Sequence, residues 1–85
     1  MNLDLHKPHI TYPCQWEYRI IGESEERLKH LIFELMPREY ELHFGKTSAQ
    51  GRFVSLYVKL EVQSEEERNN IFMRLKKSKE VKMIL

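Results

Sequence analysis

The chain has 85 residues, 41% of them apolar or aromatic, with 14 Lys and Arg against 13 Asp and Glu for a formal net charge of +1. That length leaves room for one domain and one core, and the near balance of charge excludes the strong basic excess on which phosphate-backbone binding draws. The lone cysteine, Cys14, excludes an intramolecular disulfide and fits a reducing, cytoplasmic setting.

Residues 1–11 carry no apolar leader and read as a loose N-terminal arm, and residues 12–85 as the single domain. No stretch approaches the ~18–20 apolar residues of a membrane span, so no membrane contact is expected. His6 and His9, spaced H-x-x-H ahead of Cys14, are metal-capable types. Pro8 and the lack of a paired C-x-x-C favour incidental histidines on an arm, and neither metal nor cofactor is expected. Cys14 has no visible base beside it and reads as a half-buried structural thiol.

From Cys14 to Ile21 polar and apolar residues alternate, which predicts a strand with Trp16, Tyr18 and Ile20 facing inward. Gly22 breaks the pattern. Ser24 with Glu25 and Glu26 forms an N-cap followed by first-turn acids, and Leu28, Leu31, Ile32 and Leu35 give the helix its buried stripe. Pro37 stops it near Met36. Phe33 falls off the stripe, as does Met73 later in the chain.

Tyr40, Leu42 and Phe44 alternate with Glu41 and His43 in a second half-buried strand, and a turn follows over Lys46 to Arg52. Phe53 to Val62 is the longest strand, with Val54, Leu56, Val58, Leu60 and Val62 forming its core face. Ser64 and Glu67 have capping-box spacing, and Ile71, Phe72 and Leu75 line the inner side of a helix running to about Lys77. Arg68, Arg74, Lys76, Lys77 and Lys79 read as a solvated face that becomes basic toward the helix end. Val81, Met83 and Leu85 alternate with Lys82 and Ile84 in a last short strand, Val81, Met83 and Leu85 forming its apolar set.

The order strand, helix, strand, strand, helix, strand describes an α+β ferredoxin-like sandwich, a four-stranded antiparallel sheet with both helices on one face. The other face is left open, and the second and fourth strands become edges bearing Glu41, His43 and Lys82.

Tyr12-Pro13, then Tyr18-Arg19-Ile20-Ile21-Gly22, resemble the opening of the small bacterial YbeD-like family, a domain of unknown function. Ser48 to Val58, reading S-A-Q-G-R-F-V-S-L-Y-V, is similar to that family's S-x-x-G-x-[FY]-x-S-[VL]-x-[VI] stretch, and Val81 to Leu85 to its last strand. The resemblance spans about residues 12–85 and implies a ferredoxin-like fold close to that of ACT regulatory domains, with no established activity.

Two candidate sites follow. Gly22, Glu23 and Ser24 occupy the loop where ACT-like domains commonly hold an amino acid against backbone N–H groups, although Glu23, Glu25 and Glu26 repel a ligand carboxylate. A tight turn leading into a capped helix accounts for the same residues. Arg19, Phe53, Ser55, Tyr57 and Lys59 fall on the open sheet face, where aromatics could stack on single-stranded RNA. An RNA recognition motif places its exposed aromatics two residues apart, whereas Phe53 and Tyr57 are four apart with Ser55 between, and Glu17, Glu41 and Glu61 lie near.

No phosphate-cradling glycine loop, H-E-x-x-H or nucleophile elbow is present, so no enzymatic activity is expected. The sequence points to a small regulatory or adaptor module acting by protein–protein binding, as a monomer or weak homodimer. An ACT-like metabolite sensor is the alternative, and single-stranded RNA binding the next.

Overall fold

The computed structural model describes residues 10–46 and 51–85. His6 and His9, and Ser48 to Gln50 of the family-like stretch, lie outside the described residues. The elements are β1 (Cys14–Gly22), α1 (Glu25–Leu35), β2 (Tyr40–Phe44), β3 (Val54–Val62), α2 (Glu65–Lys77) and β4 (Met83–Ile84). All strand pairs are antiparallel and the order across the sheet is β2-β3-β1-β4, the ferredoxin-like α+β plan that the alternation predicts. No helix among the described residues is long and apolar enough to cross a membrane.

Both helices start as their sequences require. Ser24 Oγ accepts from the Arg27 N–H at 3.2 Å and Ser64 Oγ from the Glu67 N–H at 3.1 Å. The capping box of α2 is displaced by one residue, because the Glu67 carboxylate accepts from the Gln63 N–H at 2.8 Å instead of from Ser64.

The core lies between the helices and one sheet face. Tyr18 and Ile20 of β1, Leu56, Val58, Leu60 and Val62 of β3, Leu28 and Ile32 of α1, and Ile71 and Leu75 of α2 are buried. The β1–β3 register produces this clustering: Tyr18 stands opposite Val58 and Ile20 opposite Leu56, so the two strands' apolar sets share a face. Each large apolar side chain so removed from water contributes roughly 1.5–3 kcal/mol.

Four non-local contacts fasten α2 and the segment before β2 onto this core. The Arg38 guanidinium makes a two-pronged pair with the Glu67 carboxylate, both bonds 2.8 Å, and donates to Glu61 O at 2.7 Å. The Tyr18 hydroxyl donates to Arg68 O at 2.7 Å, and the Arg68 guanidinium lies 4.4 Å from the centre of the Trp16 ring. Arg68 is therefore half-buried on Trp16 and does not belong to the solvated basic face expected from sequence.

Two inward assignments are corrected. Phe44 has core parity, opposite Leu56, yet is 58% exposed, because β2 is an edge strand; Lys29 of α1 lies over it, with Nζ 5.3 Å from the ring centre. In β4 the register pairs Ile84 with buried Ile20 and Met83 with Ile21, so Ile84 packs on the core while Met83 points outward. Val81 also packs on the core, and Leu85 is exposed.

Candidate functional site

The loop after β1 is shaped by packing. Gly22 is buried, and a Cβ there would stand 2.5 Å from the Glu80 carbonyl oxygen and 2.9 Å from a Leu28 methyl. The glycine lets the connection between α2 and β4 close against β1. Ser24 spends its hydroxyl on its own helix, and the Glu23 carboxylate faces Lys82 Nζ at 3.7 Å. Beside these residues a polar cavity of about 450 Å³ is lined by Glu23, Ser24, Arg27, Lys79, Glu80 and Lys82. The structure thus gathers Glu23 and Ser24 at one concavity, with Gly22 buried behind them.

The open sheet face is built in rows by the strand register. Met83, Ile21 and Ser55 form one row, with Gly45 beside Ser55, its N–H donating to Ser55 O at 2.8 Å. The next row holds Arg19, Tyr57 and His43, and Leu85 continues it by exchanging backbone hydrogen bonds with Arg19. Glu17, Lys59 and Glu41 form the third row, alternating in charge, followed by Gln15 and Glu61. The face is graded from apolar at the Met83 end to charged at the Glu61 end.

Tyr57 lies at its centre. The Arg19 guanidinium sits 5.3 Å from the Tyr57 ring centre, and Arg19 Nε is 3.8 Å from a Glu17 carboxylate oxygen. A Cβ on Gly45 would meet the Tyr57 ring at 3.2 Å, so that glycine lets the chain after β2 lie close beside the ring. His43 Nε2 and Glu41 Oε1, 3.2 Å apart, close the β2 side. Of the residues assigned to this face from sequence, Arg19, Ser55, Tyr57 and Lys59 stand together, while Phe53 precedes β3 and is half-buried.

Sequence reasoning did not place Ile21, Met83 and Leu85 on this face. Ile21 was accessible, because a strand that turns Arg19 outward turns Ile21 outward as well. Met83 and Leu85 were not, since every residue of β4 and its flanks except Lys82 is apolar and only the register with β1 sets its phase. Among the described residues no group of three or more His, Cys, Asp or Glu side chains is placed to hold a metal ion.

A family model described as "Protein of unknown function (DUF493)" matches residues 7–85, which extends the match into the segment read as a loose arm. An uncharacterized protein of Helicobacter pylori (strain ATCC 700392 / 26695) is 42% identical over 77 residues, 88% of each chain. A UPF0250 protein of Shewanella sediminis is 26% identical over 79 residues, covering 89% of this chain and 90% of the relative. The solution structure of protein HP0495 from H. pylori superposes with a TM-score of 0.84 at 39% identity, covering all of this chain (100%) and 94% of that one.

Proposed function

The chain belongs to the DUF493 family, and from that premise we propose that it is a non-enzymatic adaptor module that docks a protein partner on the open sheet face, with Tyr57 at the centre. The observation that carries this reading is the arrangement around Tyr57. An aromatic ring and an arginine stand in contact at the middle of an uncovered sheet, with Leu85 at the end of their row, Ile21 and Met83 on one side and the Glu17, Lys59 and Glu41 row on the other. Tyrosine and arginine anchors bordered by apolar side chains and a polar rim are the anatomy of protein–protein hot spots. The mixed signs of the rim favour a protein surface over the uniform negative charge of a nucleic acid.

The test is capture of partners from a bacterial lysate on the immobilised chain, with Tyr57→Ala and Arg19→Ala compared with the parent. Proteins retained by the parent and lost by Tyr57→Ala, with melting temperatures matched, support the reading. If both variants retain the same proteins, the open face is the wrong surface.

A second reading, a metabolite sensor at the loop after β1, is favoured by the polar cavity beside Glu23 and Ser24, which offers both cationic and anionic side chains to a zwitterion such as an amino acid. Amide spectra titrated with amino acids and common metabolites separate the two. Saturable shifts centred on Gly22, Glu23 and Ser24 support the sensor, and a silent spectrum removes it.

A further inference from the structure

The free edge of β2 carries a pattern that reads the same from either direction. Gly45 donates its N–H to Ser55 O, directly opposite in the register, and hydrogen-bonded pairs alternate along an antiparallel ladder. His43 with Tyr57, and Glu41 with Lys59, are therefore the pairs whose main-chain groups face β3. The N–H and C=O groups of Tyr40, Leu42 and Phe44 point away from β3, toward the edge of the sheet.

A second β2 laid antiparallel along this edge must form its hydrogen-bonded pairs from those same three residues. With Leu42 opposite Leu42 of the second copy, all five residues pair: Tyr40 meets Phe44, Glu41 meets His43, and the reciprocal contacts repeat across the two-fold axis. Sliding the strand two residues either way brings Glu41 onto Glu41, or His43 onto His43, and shortens the ladder. Within Tyr40–Phe44 only the centred register sets acid against base, extending across the axis the Glu41–His43 contact that each chain already makes at 3.2 Å. Glu41 and His43 then occupy non-hydrogen-bonded positions, where opposed side chains come closest.

The side chains fit that partner on both faces. Phe44, 58% exposed in the single chain, gains an aromatic neighbour in Tyr40 of the second copy on the helix side. Phe33, 72% exposed, lies one turn along α1 from the Lys29 that covers the Phe44 ring, and so borders the same edge. β2 has no Pro, no Lys and no bulge over Tyr40–Phe44, and the charged Glu41 that guards this edge against other strands meets His43 in the centred register, whereas the opposite edge, β4, is two residues long.

We infer that β2 pairs antiparallel with β2 of a second copy of this chain, centred on Leu42, to form a continuous eight-stranded sheet. The inference does not rest on the docking reading, since its ladder uses main-chain groups of the sheet edge, although Glu41 and His43, which set its register, border the Tyr57 face. A five-residue ladder buries little area, so the dimer is a weak, concentration-dependent one.

The test is sedimentation of the intact chain while its concentration is raised about 100-fold, together with two charge reversals whose folding is checked by circular dichroism. Glu41→Lys sets two cations against each other across the axis when His43 is protonated and removes the acid–base pair when it is not. His43→Glu sets two acids together. Each alone is expected to weaken self-association by roughly tenfold or more, because both symmetric contacts change. Mixing the two variants restores association as a heterodimer, since each cross-strand position again holds opposite charges or an acid–imidazole pair. A parent that stays monomeric over the whole range, a dimer that neither reversal weakens, or a mixture that fails to associate overturns the inference.

Discussion

Replacing Gly22 by alanine separates packing from ligand binding as the reason for a glycine at the start of the candidate loop. The added Cβ would sit 2.5 Å from the Glu80 carbonyl oxygen, where ordinary contact begins near 3.4 Å, so the α2–β4 connection must withdraw by about 0.9 Å. The obstructing atom belongs to the main chain and cannot rotate aside. Overpacking of this kind costs about 2 kcal/mol, out of a total of roughly 4–13 kcal/mol for a domain of 85 residues. The melting temperature should fall by about 8–16 °C. Gly51→Ala is the control, because Gly51 has φ of +67° with nothing within 4 Å of the added atom, so its loss of about 1 kcal/mol comes from backbone conformation alone. Thermal and urea unfolding followed by circular dichroism measure both. A Gly22→Ala variant that melts within about 2 °C of the parent, or above Gly51→Ala, would falsify the packing account. It would also move the sensor reading forward, since the glycine would then be keeping space open at the loop.

The remaining predictions concern the contacts that fasten α2. Tyr18→Phe leaves Arg68 O without its 2.7 Å donor and should cost about 1 kcal/mol in urea unfolding. Burial pushes the Tyr18 hydroxyl from 10.0 up to about 12, against the opposing pull of Arg68. Its contribution is thus fully present below pH 10 and lost as pH rises toward 12, so the parent's urea midpoint should decline more steeply over that range than that of Tyr18→Phe. Parallel declines would show that the hydroxyl is not held in the neutral form. The two-pronged hydrogen bond from Arg38 holds the Glu67 carboxyl below its ordinary 4.5, so its contribution is present above that pH and lost as pH falls through the depressed value. Glu67→Gln should flatten the acid limb of the stability curve, and an unchanged limb would count against the pair. Trp16 is the chain's single tryptophan, so Arg68→Ala should shift its fluorescence to the red by uncovering the ring. An unshifted spectrum would place the guanidinium elsewhere.

The fold is legible wherever a strand or helix is long enough to fix its own phase. β3 alternates over nine residues with Leu56, Val58, Leu60 and Val62 on one side, and no other face could be buried. Both N-caps are marked by serine followed by acids, and both act as marked. Phe44 shows where the pattern stops being informative: alternation gives its side of the sheet, but burial depends on whether a helix covers that position, which is a tertiary fact. β4 is a harder case, because apolar residues occupy both of its phases and only the pairing of Ile84 with Ile20 resolves them. Arg68 reads as a surface charge, and nothing in the sequence marks Arg38 at all, because their partners lie far away in the chain, Trp16 for the one and Glu67 for the other.

The candidate site was legible in the same measure. Arg19, Ser55, Tyr57 and Lys59 follow from strand parity alone, whereas the apolar end of the face requires the phase of β4. The two proposed surfaces are compatible for a geometric reason. A partner on the open face reads side chains standing perpendicular to the sheet, while a second copy at β2 reads main-chain groups lying in its plane. Pairing would set two Tyr57 centres on one continuous face, with His43 and Glu41 of each copy between them. A bivalent partner would then be held far more tightly than a monovalent one, its second contact being intramolecular. The β2 charge reversals, which alter only the rim of the face, should therefore weaken capture of a bivalent partner much more than that of a monovalent one, whereas Tyr57→Ala should abolish both. Equal loss of the two classes in the β2 variants would mean that Glu41 and His43 touch the partner directly, and that edge and face form one site.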